Sequence, residues 1–350
     1  MFQHSGVPAY RLVLTRHDRE SALLPAGLLA PAPALVNAPN VCSNVGVPRP
    51  EYVEITCKSA VNRVHGMPYL KWSLNPYAGC VHRCRFCFAV QYRVVAAQGT
   101  QQDFGTRLFI KTNFVEVLAR ELRRPGLQGE HITLGTATDP YQPVEARYQL
   151  THGALELLRD HANPISLLTK SPLIVRDVGL FADLARIASA EVFFSITTVD
   201  LGLWRTLEPG TANPFHRLKA MRTLREAGVP AGVMLAPILP GLTDSAACIE
   251  AVAAAAREHD AAYFSTAALR LAPHVKEFYL GFIGAEYPEL LPRYTRAYPG
   301  PHAPPEYRDR LNARVERIRA AYGFAGPAGR RRGAGPPPIP RRGPQLALPI

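Results

Sequence analysis

The sequence predicts an α/β protein built on a parallel sheet. Short apolar strands alternate with amphipathic helices along most of the 350 residues, the pattern of repeated βα units. About six such units can be counted, too few for a closed eight-stranded barrel. No glycine-rich fingerprint follows any strand, which argues against a dinucleotide-binding sheet.

The elements can be taken in order. Residues 1–50 are rich in Pro and Ala, as in Leu24-Pro25-Ala26-Gly27, and read as an extended arm with one strand near 9–14. Trp72 to Gly79 reads as a short strand running into a Pro/Gly turn. A helix is expected over 88–97, a strand over 107–111, and a helix over 113–123 with Asn113 as its N-cap. Strand–helix pairs follow at 131–137 with 147–160, 165–169 with 177–189, 191–198 with 215–227, and 229–238 with 244–258. Gly228 ends the third of these helices and Asp244 caps the fourth; a last strand spans 261–266. Helices over 273–284 and 304–321 come after the sheet, with Tyr287, Tyr294, Tyr298 and Tyr307 among basic residues. Such tyrosines can stack on bases, but more often they form a layer covering a sheet edge. From Ala325 the chain carries Pro336-Pro337-Pro338 and two arginine clusters, and disorder is expected. These expectations divide the chain into an irregular arm (1–57), an α/β core (58–284), a helical extension (285–324) and a tail (325–350).

Hydrophobic content of 47% with 19% charged residues describes a globular chain able to bury a large core. No run of eighteen apolar residues occurs, and the first residues lack a basic region followed by an apolar one. Neither a membrane span nor a secretory signal is therefore expected. The net charge is +12, of which five positive charges fall in Arg330–Arg332 and Arg341–Arg342. The remaining basic excess permits a polyanionic substrate without identifying one.

The chemistry is concentrated in Cys80-Val-His-Arg-Cys84-Arg-Phe-Cys87, three cysteines on one short loop. Three thiolates so gathered can bind a metal, and iron–sulfur clusters use thiolates almost exclusively. A four-iron cube held by only three cysteines keeps one iron open to a small molecule. Cys80, Cys84, Cys87 and His82 also read as a Cys3His zinc knuckle, although no second C-x2-C accompanies it. Cys42 and Cys57 lie upstream in irregular surroundings and read as ordinary thiols. Cys248 falls on a predicted helix, where a buried apolar role is expected.

This C-x3-C-x2-C spacing, with Phe86 before the last cysteine, resembles the signature of the radical-SAM superfamily. Asn75-Pro-Tyr-Ala-Gly-Cys80, Gly135-Thr-Ala-Thr-Asp-Pro-Tyr-Gln-Pro-Val-Glu145 and Leu168-Thr-Lys-Ser171 resemble the branch related to spore photoproduct lyase. The resemblance covers roughly residues 58–280. It implies an open (β/α)6 partial barrel, a [4Fe–4S] cluster on Cys80, Cys84 and Cys87, and S-adenosylmethionine as cofactor. It also implies reductive cleavage of that cofactor to a 5′-deoxyadenosyl radical, which abstracts a hydrogen atom from substrate. The reductant would be a one-electron carrier of flavodoxin or ferredoxin type, and DNA or RNA a candidate substrate. Gly135 and Thr136 would then face the methionine amino group, with Asp139 accepting from it or serving only as a turn residue. Lys170 would pair a carboxylate. Ser195 and Thr197 would meet the cofactor or a core hydrogen bond, and the 237–244 loop would back the adenine.

The resemblance to the lyase itself stops at two positions. Phe88 stands where the lyase has a tyrosine, and Thr136 stands where it has its hydrogen-donor cysteine. An alcohol O–H is a poor hydrogen-atom donor and phenylalanine cannot relay one, so a different substrate is expected. A cluster of this kind needs reducing surroundings, which points to the cytoplasm. The reading from a different class is a non-catalytic zinc protein that binds nucleic acid.

Overall fold

The computed structural model describes residues 50–64, 70–91 and 105–324. The expected strand near 9–14, most of the expected 88–97 helix and the tail lie outside them. Among the described residues the main sheet has seven strands in the order β10-β9-β8-β7-β6-β3-β2. These are β2 (Val61–Arg63), β3 (Trp72–Leu74), β6 (Ile132–Leu134), β7 (Ile165–Thr169), β8 (Ala190–Ser195), β9 (Ala231–Ile238) and β10 (Phe264–Ala268). From β3 to β10 every neighbour is parallel, and β2 adds an antiparallel edge. The sheet is open, with β2 and β10 at its edges, as the count of six βα units requires.

Each strand alternates between packed faces. In β7, Ile165, Leu167 and Thr169 are buried while Ser166 and Leu168 are partly covered. The helices bury one stripe each. The helix Leu150–Asp160 buries Leu150, Ala154, Leu155 and Leu158, a spacing that closes one face of a 3.6-residue period. Each such leucine or phenylalanine removed from water contributes about 1.5–3 kcal/mol.

Four local expectations need correction. The 107–111 strand forms, but as β5 (Arg107–Lys111) of a side sheet, between β1 (Glu51–Ile55) and β4 (Tyr77–Ala78). The expected arm thus ends in a strand paired in register with β5. Asn113 stands at the N-cap position of its helix but makes no side-chain cap hydrogen bond; its side chain accepts from Cys57 N and donates to Cys57 O, pinning β1 to β5 instead. The 147–160 helix is broken at Gln149, whose φ of 52° separates Glu145–Tyr148 from Leu150–Asp160. Ser245 rather than Asp244 caps the helix Ala246–Glu258; Asp244 accepts from Gly241 N and from the Tyr307 hydroxyl.

The helices Pro273–Glu286, Leu291–Ala297 and Pro305–Ala321 follow the sheet. Tyr279, Tyr294 and Tyr298 are buried, and Tyr279 donates to Tyr294, which donates to Pro240 O. They form a second apolar cluster together with Leu207, Leu269, Phe86 and Cys84. These rings are core, unavailable for stacking on bases, and their packing reaches the cysteine loop.

Candidate metal and cofactor site

The cysteine loop leaves the C-terminal end of β3 and is fastened at many points. The Asn75 side chain donates to Thr136 Oγ1 at 3.0 Å and accepts from Ala137 N at 3.0 Å, so this turn is tied to the turn after β6. Lys111 Nζ donates to Asn75 O at 2.6 Å. Gly79 O accepts from Thr138 and Gln142, while Gln142 Oε1 accepts from Val81 N at 3.2 Å. From the other side, Arg85 N donates to Leu207 O at 2.9 Å and Gly210 N to His82 O at 3.0 Å. A Cβ on Gly210 would lie 2.4 Å from Val81 O, so only glycine lets this backbone approach the loop.

Cys80 and Cys84 are buried and Cys87 is partly exposed; all three are free thiols. Burial pushes the Cys80 and Cys87 thiols up to about 12, and Cys84 higher still. Each also feels a neighbouring thiol of the trio as a like charge. Three thiolates in this loop therefore need a cationic centre to exist together. Among the described residues no three His, Cys, Asp or Glu side chains are grouped to hold a single metal ion. A cluster asks something else, one iron for each cysteine, and an all-sulfur donor set on a rigid loop fits it.

Beside the loop lies a buried polar network at the ends of β7 and β8. Asp139 accepts from Tyr141 N (2.8 Å), Thr169 Oγ1 (2.8 Å) and Lys170 N (2.7 Å), and its Oδ2 lies 3.4 Å from His82 Nδ1. Burial holds the His82 imidazole below its usual range, toward the neutral form. Lys170 Nζ donates to Ser195 Oγ at 2.6 Å and to Glu208 Oε1 at 2.8 Å, and lies 5.6 Å from the Phe86 ring centroid. Thr197 donates to the same carboxylate at 2.8 Å. Arg217, fully buried, pairs with Glu208 Oε2 at 2.7 Å and donates to Ser195 O.

Burial alone would raise the Glu208 carboxyl, but Arg217 and Lys170 overcome it and hold the group at about 2. A depressed carboxyl stabilises the fold above its unfolded value and loses that contribution as pH falls through its folded one. Glu208 is thus expected to contribute fully above 4.5 and to lose its contribution toward about 2. Thermal melts across that range check this: the acid-side loss of stability should be smaller in Glu208→Gln than in the parent.

The structure therefore brings Phe86, Asp139, Lys170, Ser195 and Thr197 together beside the cysteines. It also gives several of them local work. Asp139 is filled by Tyr141 N of its own turn and by Thr169 and Lys170 at the end of β7, and Ser195 and Thr197 serve the Glu208 network. Thr136 is held by Asn75. Gly135 has φ +85°, and a Cβ there would lie 2.3 Å from Leu168 O, so its glycine is required by contact with β7. Gly135→Ala is expected to cost at least about 2 kcal/mol, whereas Gly179→Ala, open on all sides within a helix, should be neutral or stabilising. Paired thermal melts decide it. Cys57 and Cys248 are each half-buried; Cys248 stands in the first turn of its helix, where its N–H donates to the capping Ser245 Oγ, and not in the core. Glu208, Gly210 and Arg217 stand in no motif with metal or cofactor spacing, and Gln142 lies inside the 135–145 stretch with nothing in the sequence to mark its role as a loop clamp.

Comparison with known proteins decides the family. The Radical SAM superfamily description matches residues 74–249, half of the chain, from the end of β3 into the helix after β9. The chain belongs to the radical SAM superfamily. An uncharacterized protein of Mycobacterium tuberculosis is 37% identical over 276 residues, covering 78% of this chain and 81% of the relative. A protein of Methanocaldococcus jannaschii is 28% identical over 194 residues, covering 55% of this chain and 70% of that relative. Among solved structures, spore photoproduct lyase complexed with dinucleoside spore photoproduct has a TM-score of 0.59 at 16% identity. That match covers 77% of this chain and 79% of the lyase. It shows a shared fold. This radical SAM enzyme has, among its described residues, no helix long and apolar enough to cross a membrane.

Proposed function

We propose that Cys80, Cys84 and Cys87 hold a [4Fe–4S] cluster and that S-adenosylmethionine binds beside it, over the ends of β6, β7 and β8. The observation that carries this is the placement of three free cysteines on one clamped loop, whose Phe86 ring lies 5.6 Å from Lys170 Nζ. When bound, the cluster and cofactor supply one-electron cleavage of a sulfonium C–S bond and a carbon radical that takes a hydrogen atom from substrate.

The protein's own part is positioning and exclusion. Asn75, Gln142, Leu207 and Gly210 fix the loop backbone, so the thiols need not be ordered when metal arrives. Phe86 and the second apolar cluster keep water from the inner side of Cys84. Lys170, already charge-compensated by Glu208, can turn a donor toward a carboxylate at modest cost, with Gly135, Thr136 and Ser195 as neighbouring cofactor contacts. No described thiol occupies the Thr136 position, and the Thr136 hydroxyl is engaged with Asn75. The reaction on substrate therefore follows a route other than thiol hydrogen return from that site. A nucleic acid is the favoured substrate class, supported by the fold shared with a lyase that binds a dinucleoside photoproduct and by the net charge of +12.

Anaerobic reconstitution, dithionite reduction and an assay for 5′-deoxyadenosine from added S-adenosylmethionine test the reading. Formation by the parent protein is expected. Failure to take up a cluster, with zinc bound in its place, would sink it.

A further inference from the structure

We infer that Tyr77, Glu145 and Tyr141 are positioning residues that hold the cysteine loop in its ligand-ready shape before metal arrives; the use made of that loop rests on the cluster reading above. The 135–145 stretch contains two residues that the site leaves unused. Asp139 reaches His82 and Gln142 reaches the loop backbone, whereas Tyr141 and Glu145 do neither. Both are nevertheless fully buried.

Glu145 ties the entry of the loop to the helices behind it. Its Oε2 accepts from the hydroxyl of Tyr77, three residues before Cys80, and from Thr151 N at 3.0 Å. Its Oε1 accepts from His152 N at 3.1 Å and from Arg176 Nη2 at 2.7 Å. The chain break at Gln149 makes this possible. Thr151 and His152 lie in the first turn of Leu150–Asp160, where the Gln149 side chain makes no cap bond, and Glu145 takes their open N–H groups. Arg176 continues the network to Asp177, donating from Nε to Oδ1 at 2.9 Å and from Nη2 to Oδ2 at 2.7 Å. Asp177 Oδ2 accepts from the Tyr141 hydroxyl at 2.8 Å, and Oδ1 lies 2.8 Å from His152 Nδ1. Burial opposes a charged Asp177, but Arg176, Tyr141 and His152 outweigh it and hold the carboxyl below its usual range. Burial, together with the carboxylate beside each, pushes both phenols up, so Tyr77 and Tyr141 remain donors.

The two phenols reach the loop by separate routes. Tyr77 lies in β4 and runs through Ala78 and Gly79 into Cys80. Tyr141 adjoins Gln142, whose amide accepts from Val81 N and donates to Gly79 O. Thr151 Oγ1 donates to Pro140 O at 2.6 Å, fastening the same stretch. Buried carboxylates are costly unless fully paired, so two of them around one arginine form a junction with few alternative arrangements. Opening the loop breaks the Tyr77 bond or drags this junction with it.

The test is alkylation of the metal-free full chain by iodoacetamide, read at each cysteine by mass spectrometry. Cys80 and Cys84 are buried, so they react only when the loop opens. Tyr77→Phe and Tyr141→Phe each remove one hydroxyl and keep the ring. Both are expected to speed alkylation of Cys80 and Cys84 about tenfold or more, with Cys57 and Cys248 within about twofold of the parent. Leu158→Ala, a deletion in the main core, should lower the melting temperature at least as much yet leave Cys80 and Cys84 within about twofold. Lost stability alone would expose all the thiols together. Parent-like rates at Cys80 and Cys84 in Tyr77→Phe, or an equal rise in Leu158→Ala, would overturn the inference. Should Tyr77→Phe fail to fold, Tyr141→Phe decides by the same rates. Alkylation needs no metal, so a parent that took up zinc without sulfide would sink the cluster reading and leave this result standing.

Discussion

Cys84→Ala is expected to abolish 5′-deoxyadenosine formation while leaving the protein folded. Cys84 packs with Phe86 and Leu207 in the smaller apolar cluster, so its truncation leaves a cavity of one sulfur atom. Such a loss costs about 1 kcal/mol, well within what a domain of this size tolerates. What disappears is one of three sulfur donors, with His82, the nearest alternative donor on the loop, buried against Asp139. Assay and melting curve together make the case: no product with a melting temperature within a few degrees of the parent. Retained product would show that Cys84 holds no metal. A collapsed melting curve would show that the loop is structural first.

Glu208→Ala should be the most destabilising single change near the site. It leaves the fully buried Arg217 and the half-buried Lys170 without their shared carboxylate, and strips Thr197 of its acceptor. Breaking a buried ion pair from one side costs about 3–5 kcal/mol, or roughly 10 °C in melting temperature for a chain of this length. Because Leu207 O and Gly210 N flank Glu208 and hold Arg85 and His82, the cysteine loop should loosen as well. Faster loss of iron to a chelator would report that directly. Glu208→Gln, which keeps two acceptor contacts, should fall between. A variant as stable as the parent would mean that the network contributes nothing beyond its own desolvation.

Much of this fold could be read from residue pattern because parallel strands buried on both faces are short apolar runs whatever their neighbours. The same property hid the side sheet. Arg107–Lys111 reads like any other strand, and only its partners, β1 and β4, separate it from the main sheet. Caps failed where a polar side chain had a better offer: Asn113 is spent on Cys57, and Asp244 on Gly241 and Tyr307.

At the site, the cysteines were legible because metal chemistry fixes both residue type and spacing. Glu208 and Arg217 were not, since a buried ion pair assembled from the end of one helix and the first turn of the next has no sequence period. Gly135 shows the reverse case. A glycine expected to meet a ligand is required first by the Leu168 carbonyl. The C-terminal tyrosines were ambiguous because Tyr serves cores and surfaces alike; Tyr294 and Tyr298 belong to the buried cluster that includes Leu269 and Phe86, while Tyr287 and Tyr307 pack against it partly covered.

The most direct test of the account is the metal content of anaerobically reconstituted protein, with the Cys84→Ala variant alongside. About four iron and four sulfide per chain in the parent, and a marked loss in the variant, is the predicted result. Stoichiometric zinc without sulfide in the parent would contradict it, leaving a clamped zinc loop on a radical SAM fold.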